Sequence, residues 1–429
     1  MSLLRLGWLL ARRQRELGMI TALAVLALTV ATGALLTVLG GLQAFTARAG
    51  GDPDDLYMVL AQVATIILVV PVMTLGGAAA RLAISRRNAR LAALRLAGAT
   101  TRQIGTLTLV EAAAQALAGA LLGTVLYEIA LPGVALLNFQ GRSFDWAELQ
   151  LGPLALLGAV AAIVIIATGS AAISLAGVAV SPLGVANRVS PKALSALRLA
   201  LAIGAFAVWA VASGQQNVTV IMVSFAICLG VLGVVGPFVL WCVGKIGARL
   251  ARTAPQLLAT RRLSDDPRGA WRAVGGVALA TFIAGIACIA PSLPQDTESY
   301  PTINTDIFTG ACVTLIISVL LAATSTGVNQ ATRALDQAPS FRLLHLAGTE
   351  PAVLRRARLT ETALPLGWAV GTAAVAALLL IAPLGMETLT GNWYGPTLFL
   401  GAVIGSVTLM LGAVRLTEPL VDSAVAAPN

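Results

Sequence analysis

The sequence predicts an all-α integral membrane protein with about ten transmembrane helices, arranged as two parallel four-helix repeats that flank a central helix pair. Hydrophobic residues make up 58% of the chain and charged residues 11%, whereas soluble domains have roughly 45–50% and 25%. Several apolar segments exceed the roughly 20 residues that cross a bilayer as a helix. A short sequence element also occurs twice, 250 residues apart, and such repeats define an architecture.

The apolar segments define ten predicted spans. They lie near residues 18–45, 56–80, 105–137, 152–178, 196–213, 217–245, 273–294, 305–330, 359–384 and 394–415. The arginines at the start of the chain lead into the first apolar segment without a small-residue cleavage site, so we expect it to remain as a helix. The predicted parts are a cytoplasmic amphipathic helix (1–16), the first repeat (17–180), the central segment (181–260), the second repeat (261–418) and a cytoplasmic tail (419–429).

The distribution of basic residues predicts the orientation of the spans. Of the 28 basic residues, 26 fall in one alternating set of gaps, and only Arg48 and Arg142 fall in the other set. Because loops rich in Lys and Arg stay on the cytoplasmic side, both termini are predicted to be cytoplasmic. High Ala and Arg content with few Lys is typical of a bacterial chain, so we expect a multi-pass protein of the bacterial cytoplasmic (inner) membrane.

The repeated element lies between two spans in each copy. Leu94-Arg95-Leu96-Ala97-Gly98, followed by Leu109 and Glu111, recurs as Leu344-His345-Leu346-Ala347-Gly348, followed by Leu359 and Glu361. Seven of the 24 pairs from 91/341 to 114/364 are identical. Each copy follows an even-numbered span, so both are predicted on the same side of the membrane. The repeat is therefore parallel, whereas many ion-coupled carriers have inverted repeats.

We call these elements, at about 85–103 and 335–352, the coupling elements. In the first, apolar and basic residues on different sides predict a short helix along the inner membrane surface. Gly98 is predicted to end that helix, and Thr100 with Gln103 forms a capping-box pattern that would start the next span. In the second, Gly348 is the equivalent glycine and Pro351 is predicted in the first turn of the following helix.

Three acidic residues are predicted inside the membrane, where a carboxylate costs a few kcal/mol unless it is paired or hydrated. Glu111 and Glu361 lie about two turns into their spans. Each forms either an ion pair, with Arg95 or Arg102 as partners of Glu111, or a contact with interfacial water. Glu128 lies toward the outer side, where it either lines a substrate route or reaches the interface.

Several function classes are disfavoured by the sequence. The net charge of +9 comes from residues in the gaps between spans, so it does not indicate nucleic-acid binding. No stretch matches the phosphate-binding pattern G-x-x-x-x-G-K-[ST]. The single His and the four Cys inside apolar segments do not form a metal or catalytic pattern. We therefore expect no enzyme activity and no bound cofactor in this chain, and an active transporter would take its energy from another subunit.

The first coupling element, from Arg86-Arg87 through Leu94 to Ile104 with Glu111 in the next span, resembles the core motif of FtsX-like permeases. Arg90 stands where that family usually has an acidic residue. These permeases are membrane subunits of ABC transporters, so the resemblance implies contact with two copies of a separate ATPase that binds ATP and Mg. The residues implied in this contact are Arg86, Arg87, Arg90, Leu94, Arg95, Gly98, Thr100, Arg102, Arg342, Leu344, His345, Gly348 and Glu350.

The four-two-four layout is similar to the ten-helix permeases associated with bacitracin and other peptide antibiotics. Those permeases carry a large extracellular domain between the seventh and eighth spans, where this chain has only about Pro294 to Asn304. The resemblance implies export, or extraction from the membrane, of an amphiphilic antibiotic, peptide or lipid, hence a role in efflux and antibiotic resistance. The alternatives are an ion-coupled secondary transporter that depends on the intramembrane acids, and a non-transporting scaffold of the cell-division permease type.

Overall fold

The structure, a computed structural model, describes residues 3–50, 55–85, 100–179, 192–214, 217–288, 301–346, 351–384 and 394–416. This part of the chain is dominated by twelve α-helices. They are α1 (Leu3–Arg48), α2 (Leu56–Ser85), α3 (Thr101–Ala135), α4 (Trp146–Leu149), α5 (Pro153–Ala179), α6 (Lys192–Ala212), α7 (Val218–Leu250), α8 (Ala254–Asp265), α9 (Pro267–Ala287), α10 (Ile303–Leu346), α11 (Pro351–Ile381) and α12 (Tyr394–Leu416).

The predicted class, a multi-pass all-α membrane protein, is confirmed. Within the described ranges, eight helices are long and apolar enough to cross a membrane, namely α1, α2, α3, α5, α7, α9, α10 and α11. The fifth and tenth predicted spans coincide with shorter apolar stretches, 200–212 in α6 and 399–412 in α12.

Two predicted surface helices are continuous with spans. The segment 1–16 was expected as a separate amphipathic helix, but α1 runs without a break from Leu3 to Arg48. The described part of the second coupling element, 335–346, likewise continues α10. Ala, Leu, Arg and Gln all have high helix propensity, so a change from apolar to polar composition alters what a helix contacts but does not end it.

The chain forms two compact units, and the first comprises Met1–Thr37, Val72–Leu131 and Leu151–Arg188. Within it, α3 lies directly against α1 at two glycines. A Cβ at position 119 would lie 2.5 Å from Cβ of Leu28, and one at position 123 would lie 2.5 Å from Cβ of Thr32. Helices in membranes associate through such small residues. Gly119 and Gly123 therefore allow the close contact of α3 with α1.

The second unit comprises Val38–Pro71, Pro132–Gln150 and Val189–Asn429. Two of its segments, Val38–Pro71 and Pro132–Gln150, lie within the predicted first repeat (17–180), so the two units do not coincide with the two predicted repeats. The central helix is α9, which packs against α7, α10, α11 and α12. A Cβ at Gly285 of α9 would lie 2.5 Å from Cβ of Ala377 in α11. Trp209 of α6 donates a 2.8 Å hydrogen bond from Nε1 to the carbonyl oxygen of Leu380 in α11.

Helix α8 was not predicted, since it lies in a basic gap of low hydropathy. It begins after Thr253 with a proline in its first turn, and its close approach to α7 needs two glycines. A Cβ at Gly244 would lie 2.7 Å from the backbone N of Ser264, and one at Gly247 would lie 2.7 Å from Cγ2 of Thr260.

The next helix, α9, begins at Pro267 rather than near 273, because the Asp266 side chain accepts a 2.8 Å hydrogen bond from the backbone N–H of Gly269.

A small antiparallel hairpin follows α3. Its strands are β1 (Asn138–Phe139) and β2 (Arg142–Ser143), with Phe139 opposite Arg142. Gln140 and Gly141 form the two-residue loop with φ values of 57° and 73°, and positive φ at both positions is the pattern of a type I′ turn. The hairpin was not predicted, since the segment lies in the gap between two predicted spans.

Candidate functional site

Two clusters of charged residues lie at opposite ends of the second unit, and the first surrounds Asp306 near the start of α10. This residue is 4% exposed. Its Oδ2 accepts hydrogen bonds from the Tyr57 hydroxyl at 2.7 Å, the Thr302 hydroxyl at 2.8 Å and the backbone N–H of Gln140 at 2.9 Å. A buried carboxylate with three donors is satisfied despite its burial. Asp306 thereby joins the start of α2, the hairpin loop and the start of α10.

Arg48, the last residue of α1, forms the second centre of this cluster. Its side chain is 2% exposed, and its guanidinium group donates four hydrogen bonds. Nε and Nη2 donate to Oε2 of Glu148 at 3.1 and 2.7 Å. Nη1 donates to the carbonyl oxygen of Phe139, and Nη2 also donates to that of Ser143, both at 3.0 Å. The planar fork of arginine suits this simultaneous binding of a carboxylate and two carbonyl groups.

Aromatic rings fill the space around these charges. Phe45 meets Phe139 and Phe144 edge-on, with ring centroids 5.3 and 5.4 Å apart, and lies parallel to Tyr57 at 6.2 Å. The Arg48 guanidinium carbon lies 4.3 Å from the centroid of Phe144, a cation–π geometry. We call the whole set, with Asp306, Arg48 and Glu148, the outer cluster, because the predicted topology places its segments on the outer side.

The two basic residues that departed from the predicted charge distribution both belong to the outer cluster. Arg48 and Arg142 bind the same carboxylate, Glu148, at 2.7 and 3.0 Å. Hydrogen bonding by Arg48, followed by the charges of both arginines, lowers the pKa of Glu148 below its usual value, although burial opposes this. Both exceptions are therefore paired with an acidic residue on the same side, which is compatible with the predicted orientation.

The second cluster lies at the arginine-rich end. Nη1 of Arg262, in α8, donates to Oε1 of Glu361, in α11, at 2.6 Å. The Glu361 side chain is 12% exposed and that of Arg262 is 35% exposed. This contact fixes α8 to the first turns of α11. The ion-pair interpretation therefore holds for Glu361, but its partner is a residue that sequence analysis did not select.

Glu361 also lies at a natural hinge in α11. Pro365 lies inside this helix, and a proline has no N–H to donate to the carbonyl oxygen four residues earlier. That carbonyl belongs to Glu361. The same residue therefore anchors α11 to α8 through its side chain and lies where the backbone of α11 is weakened.

The predicted coupling elements are described only at their edges. The capping box is confirmed, since Thr100 N–H donates to Oε1 of Gln103 at 3.0 Å and Gln103 N–H donates to Oγ1 of Thr100 at 3.3 Å. The start of α11 at Pro351 is confirmed as well. Arg102 falls in the first turn of α3, and Arg342, Leu344 and His345 fall in the last turns of α10. The remaining predicted contact residues, Arg86, Arg87, Arg90, Leu94, Arg95, Gly98, Gly348 and Glu350, lie outside the described residues.

The other intramembrane acids, Glu111 and Glu128, are half-buried on α3. Both belong to the first unit, whereas the outer cluster and Glu361 belong to the second. Tyr57, Asp306 and Arg262 were not predicted as site residues. Tyr57 and Asp306 are 249 residues apart and Arg262 and Glu361 are 99 apart, so no local sequence pattern indicates either pair.

Within the described ranges, no group of three or more His, Cys, Asp or Glu residues could hold a metal ion. The described residues form a multi-pass helical membrane protein with two clusters of charged contacts in its second unit. Comparison with protein-family models, with curated proteins and with solved structures found no match to this chain.

Proposed function

We propose that the chain is the membrane subunit of an ABC-type permease, driven by a separate ATPase that binds the two coupling elements. It would export, or extract from the membrane, an amphiphilic antibiotic, peptide or lipid. In this proposal the chain has ten spans, arranged as α1–α5, without the short α4, and α9–α12 around the central pair α6 and α7. The observation that carries the proposal is the repeated element at the second-to-third helix junction of both sets, on the arginine-rich side.

Helix packing supports the equivalence of the two sets. In each set the first and third helices meet through small residues, Gly119 and Gly123 against α1, and Gly285 of α9 against Ala377 of α11. The third helix is the one that follows the coupling element directly. A displacement of either element would therefore be passed to the first helix of its set through a tightly packed contact, since close-packed interfaces transmit strain.

The ion pair of Arg262 with Glu361 supports a role for α11 in transmission. The repeat interval of 250 residues aligns Glu361 with Glu111 and Arg262 with Arg12. Arg12 and Glu111 are therefore 99 residues apart in the sequence, as Arg262 and Glu361 are. A second Arg–Glu pair at the same interval would suit a machine in which two equivalent subunits of an ATPase act on two equivalent helices.

The outer cluster supplies the contact that such a motion would break. Tyr57 lies in the first turn of α2, and Asp306 lies in the first turns of α10. These are the second helices of the two proposed sets, and each leads to a coupling element at its other end. Opening a route between them on the outer side requires the bond of 2.7 Å between Tyr57 and Asp306 to separate. A hydrogen bond to a charged group contributes about 1.5–3 kcal/mol, which is small beside the free energy of ATP hydrolysis.

The test is co-expression with candidate ATPase subunits, followed by purification and measurement of ATP hydrolysis and flux in proteoliposomes. We expect co-purification and ATP-dependent flux in the parent chain. Gly98→Pro with Gly348→Pro should lower ATP hydrolysis, and the flux coupled to it, at least about tenfold, because proline cannot adopt the positive φ of a helix-ending glycine. The control is Gly152→Pro, in an exposed loop where a side chain meets open space.

Three outcomes would overturn the proposal. Flux driven by a proton gradient without ATP, and abolished by neutralising Glu111, Glu128 or Glu361, would identify an ion-coupled carrier. ATPase binding without flux of any amphiphile would identify a scaffold of the cell-division type. An unchanged phenotype of the double glycine variant would show that the repeated elements do not couple the two subunits.

A further inference from the structure

We propose that the end of α7 binds the headgroup of an anionic phospholipid through Lys245, Arg249 and Arg252. All three side chains are exposed. Within the described part of the chain none of them forms an ion pair. Three cations within eight residues of sequence, with no ion pair among the described residues, attract anions, and each contributes about 1 kcal/mol of attraction to an anionic membrane surface. This inference does not depend on the proposed transport function.

The length of α7 places these residues at the membrane surface. The helix has 33 residues and is therefore about 50 Å long, whereas the hydrocarbon core takes about 20 residues. The turns after about Trp241 therefore lie at the level of the headgroups on the arginine-rich side. Trp241 fits this position, since tryptophan concentrates at membrane interfaces.

Aromatic and cationic residues follow one another along a single face of the helix. Phe238 and Trp241 stack with ring centroids 6.1 Å apart, and Nζ of Lys245 lies 4.3 Å from the centroid of Trp241. Arg249 is one turn further along the same face. The face therefore changes from aromatic to cationic at one depth, which matches the boundary between the acyl chains and the headgroup of a lipid.

The adjacent face of α7 exposes apolar residues. Ile246 is 57% exposed and Leu250 is 71% exposed, so apolar surface lies beside the cations in the same turns. An acidic protein segment would leave this apolar surface exposed, whereas the acyl chains of a lipid would cover it. The nearest acidic residues in the sequence are Asp265, the last residue of α8, and Asp266 directly after it. Helix α8 approaches α7 at Gly244, about a third of a turn around the helix from Lys245.

The experiment measures binding of phosphatidylglycerol and phosphatidylcholine with identical acyl chains to the purified full-length chain, by native mass spectrometry from detergent. We expect phosphatidylglycerol to bind more tightly. The variant Lys245→Gln with Arg249→Gln and Arg252→Gln should lose at least about tenfold in that affinity. The matched control removes three other basic residues of the arginine-rich side by Arg198→Gln, Arg261→Gln and Arg268→Gln, and should change the affinity less than about twofold.

A charge-conserving variant, Lys245→Arg with Arg249→Lys and Arg252→Lys, should retain binding and so separates lost charge from misfolding. Equal losses in the two neutralised variants would overturn the proposal, because they would indicate a general attraction. Equal affinity for both lipids would overturn it as well. Displacement of phosphatidylglycerol by millimolar inorganic phosphate would assign the site to a soluble anion and would contradict a lipid site.

Discussion

The hydroxyl of Tyr57 donates a hydrogen bond of 2.7 Å to Oδ2 of Asp306, although the two residues are 249 positions apart. Each lies at the start of a long apolar helix, α2 or α10, that leads to one copy of the repeated element. Thr302 and Gln140 donate to the same oxygen. The bond therefore joins the two helices at the end furthest from the coupling elements, and we take its separation as the outer event of the proposed cycle.

The first prediction concerns acid stability of the outer cluster. Arg48 stabilises the ionised form of Glu148 in the folded state, so the pKa of Glu148 lies below 4.5, its usual value. The stabilising contribution is then fully present above pH 4.5 and is lost as the pH falls through the lower folded pKa. We expect Glu148→Gln to remove this loss, so that the melting temperature of the variant falls less between pH 6 and pH 3 than that of the parent chain.

The arginines provide the matching control. Arg48→Gln should cost about 1–3 kcal/mol at neutral pH, because several buried hydrogen bonds are lost. Arg142→Gln, whose side chain is 61% exposed, should cost less than about 1 kcal/mol. Equal destabilisation by the two variants would show that the buried fork of Arg48 has no special role.

The second prediction is a charge exchange at the arginine-rich end. Arg262→Glu and Glu361→Arg should each lower ATP-dependent flux about fivefold or more, which corresponds to about 1 kcal/mol of lost coupling. The double exchange should restore flux to within about twofold, because the pair is re-formed with reversed polarity. Flux in proteoliposomes is the measurement. Failure of the double variant, with each single variant still folded and bound to the ATPase, would remove the ion pair from the mechanism.

The third prediction tests the contact of α1 with α3. Gly119→Ala places a methyl group 2.5 Å from Cβ of Leu28, so the helices must separate, at a cost of about 1–3 kcal/mol. Gly133→Ala is the control in the same helix, since a side chain there meets open space. It should be neutral or stabilising by up to about 1 kcal/mol. Thermal unfolding in detergent compares the two, and equal melting temperatures would contradict the close packing.

The fourth prediction concerns the hinge of α11. Pro365→Ala restores an N–H donor toward the carbonyl oxygen of Glu361, which should raise the melting temperature and stiffen the helix. We expect flux per ATP hydrolysed to fall severalfold while ATPase binding is retained. Pro237→Ala, in the interior of α7, should raise stability without lowering flux. If both variants lowered flux alike, the effect would belong to prolines in general rather than to the hinge beside Glu361.

Elements set by local chemistry were predictable. The apolar segments form helices as expected, and the Thr100–Gln103 capping box and the start of α11 at Pro351 depend only on residues a few positions apart. The helix starting at Ala254 could have been found, because Thr253 with a proline two residues later is a helix-start pattern, and Asp266 followed by Pro267 marks the start of the next helix. Its low hydropathy made it look like part of a basic loop.

The contacts that define the candidate site could not be predicted in the same way. The partners of Asp306 come from α2, the hairpin and α10 itself, and nothing in a single sequence indicates which of many polar residues meet across such distances. The hairpin was missed because its strands are two residues long. The glutamine before Gly141 is not among the residues that usually mark a type I′ turn.

The most direct measurement is the rate of crosslinking between the ends of α2 and α10 during turnover. Tyr57→Cys and Asp306→Cys would be combined in a chain whose native cysteines are replaced by alanine, and treated with a short, reducible thiol crosslinker in proteoliposomes that contain the ATPase. We expect fast crosslinking without nucleotide, slower crosslinking when ATP is trapped, and loss of flux that a reductant restores. A crosslinking rate that does not respond to nucleotide, or undiminished flux in the crosslinked chain, would contradict a permease whose outer end is opened by an ATPase at the other end.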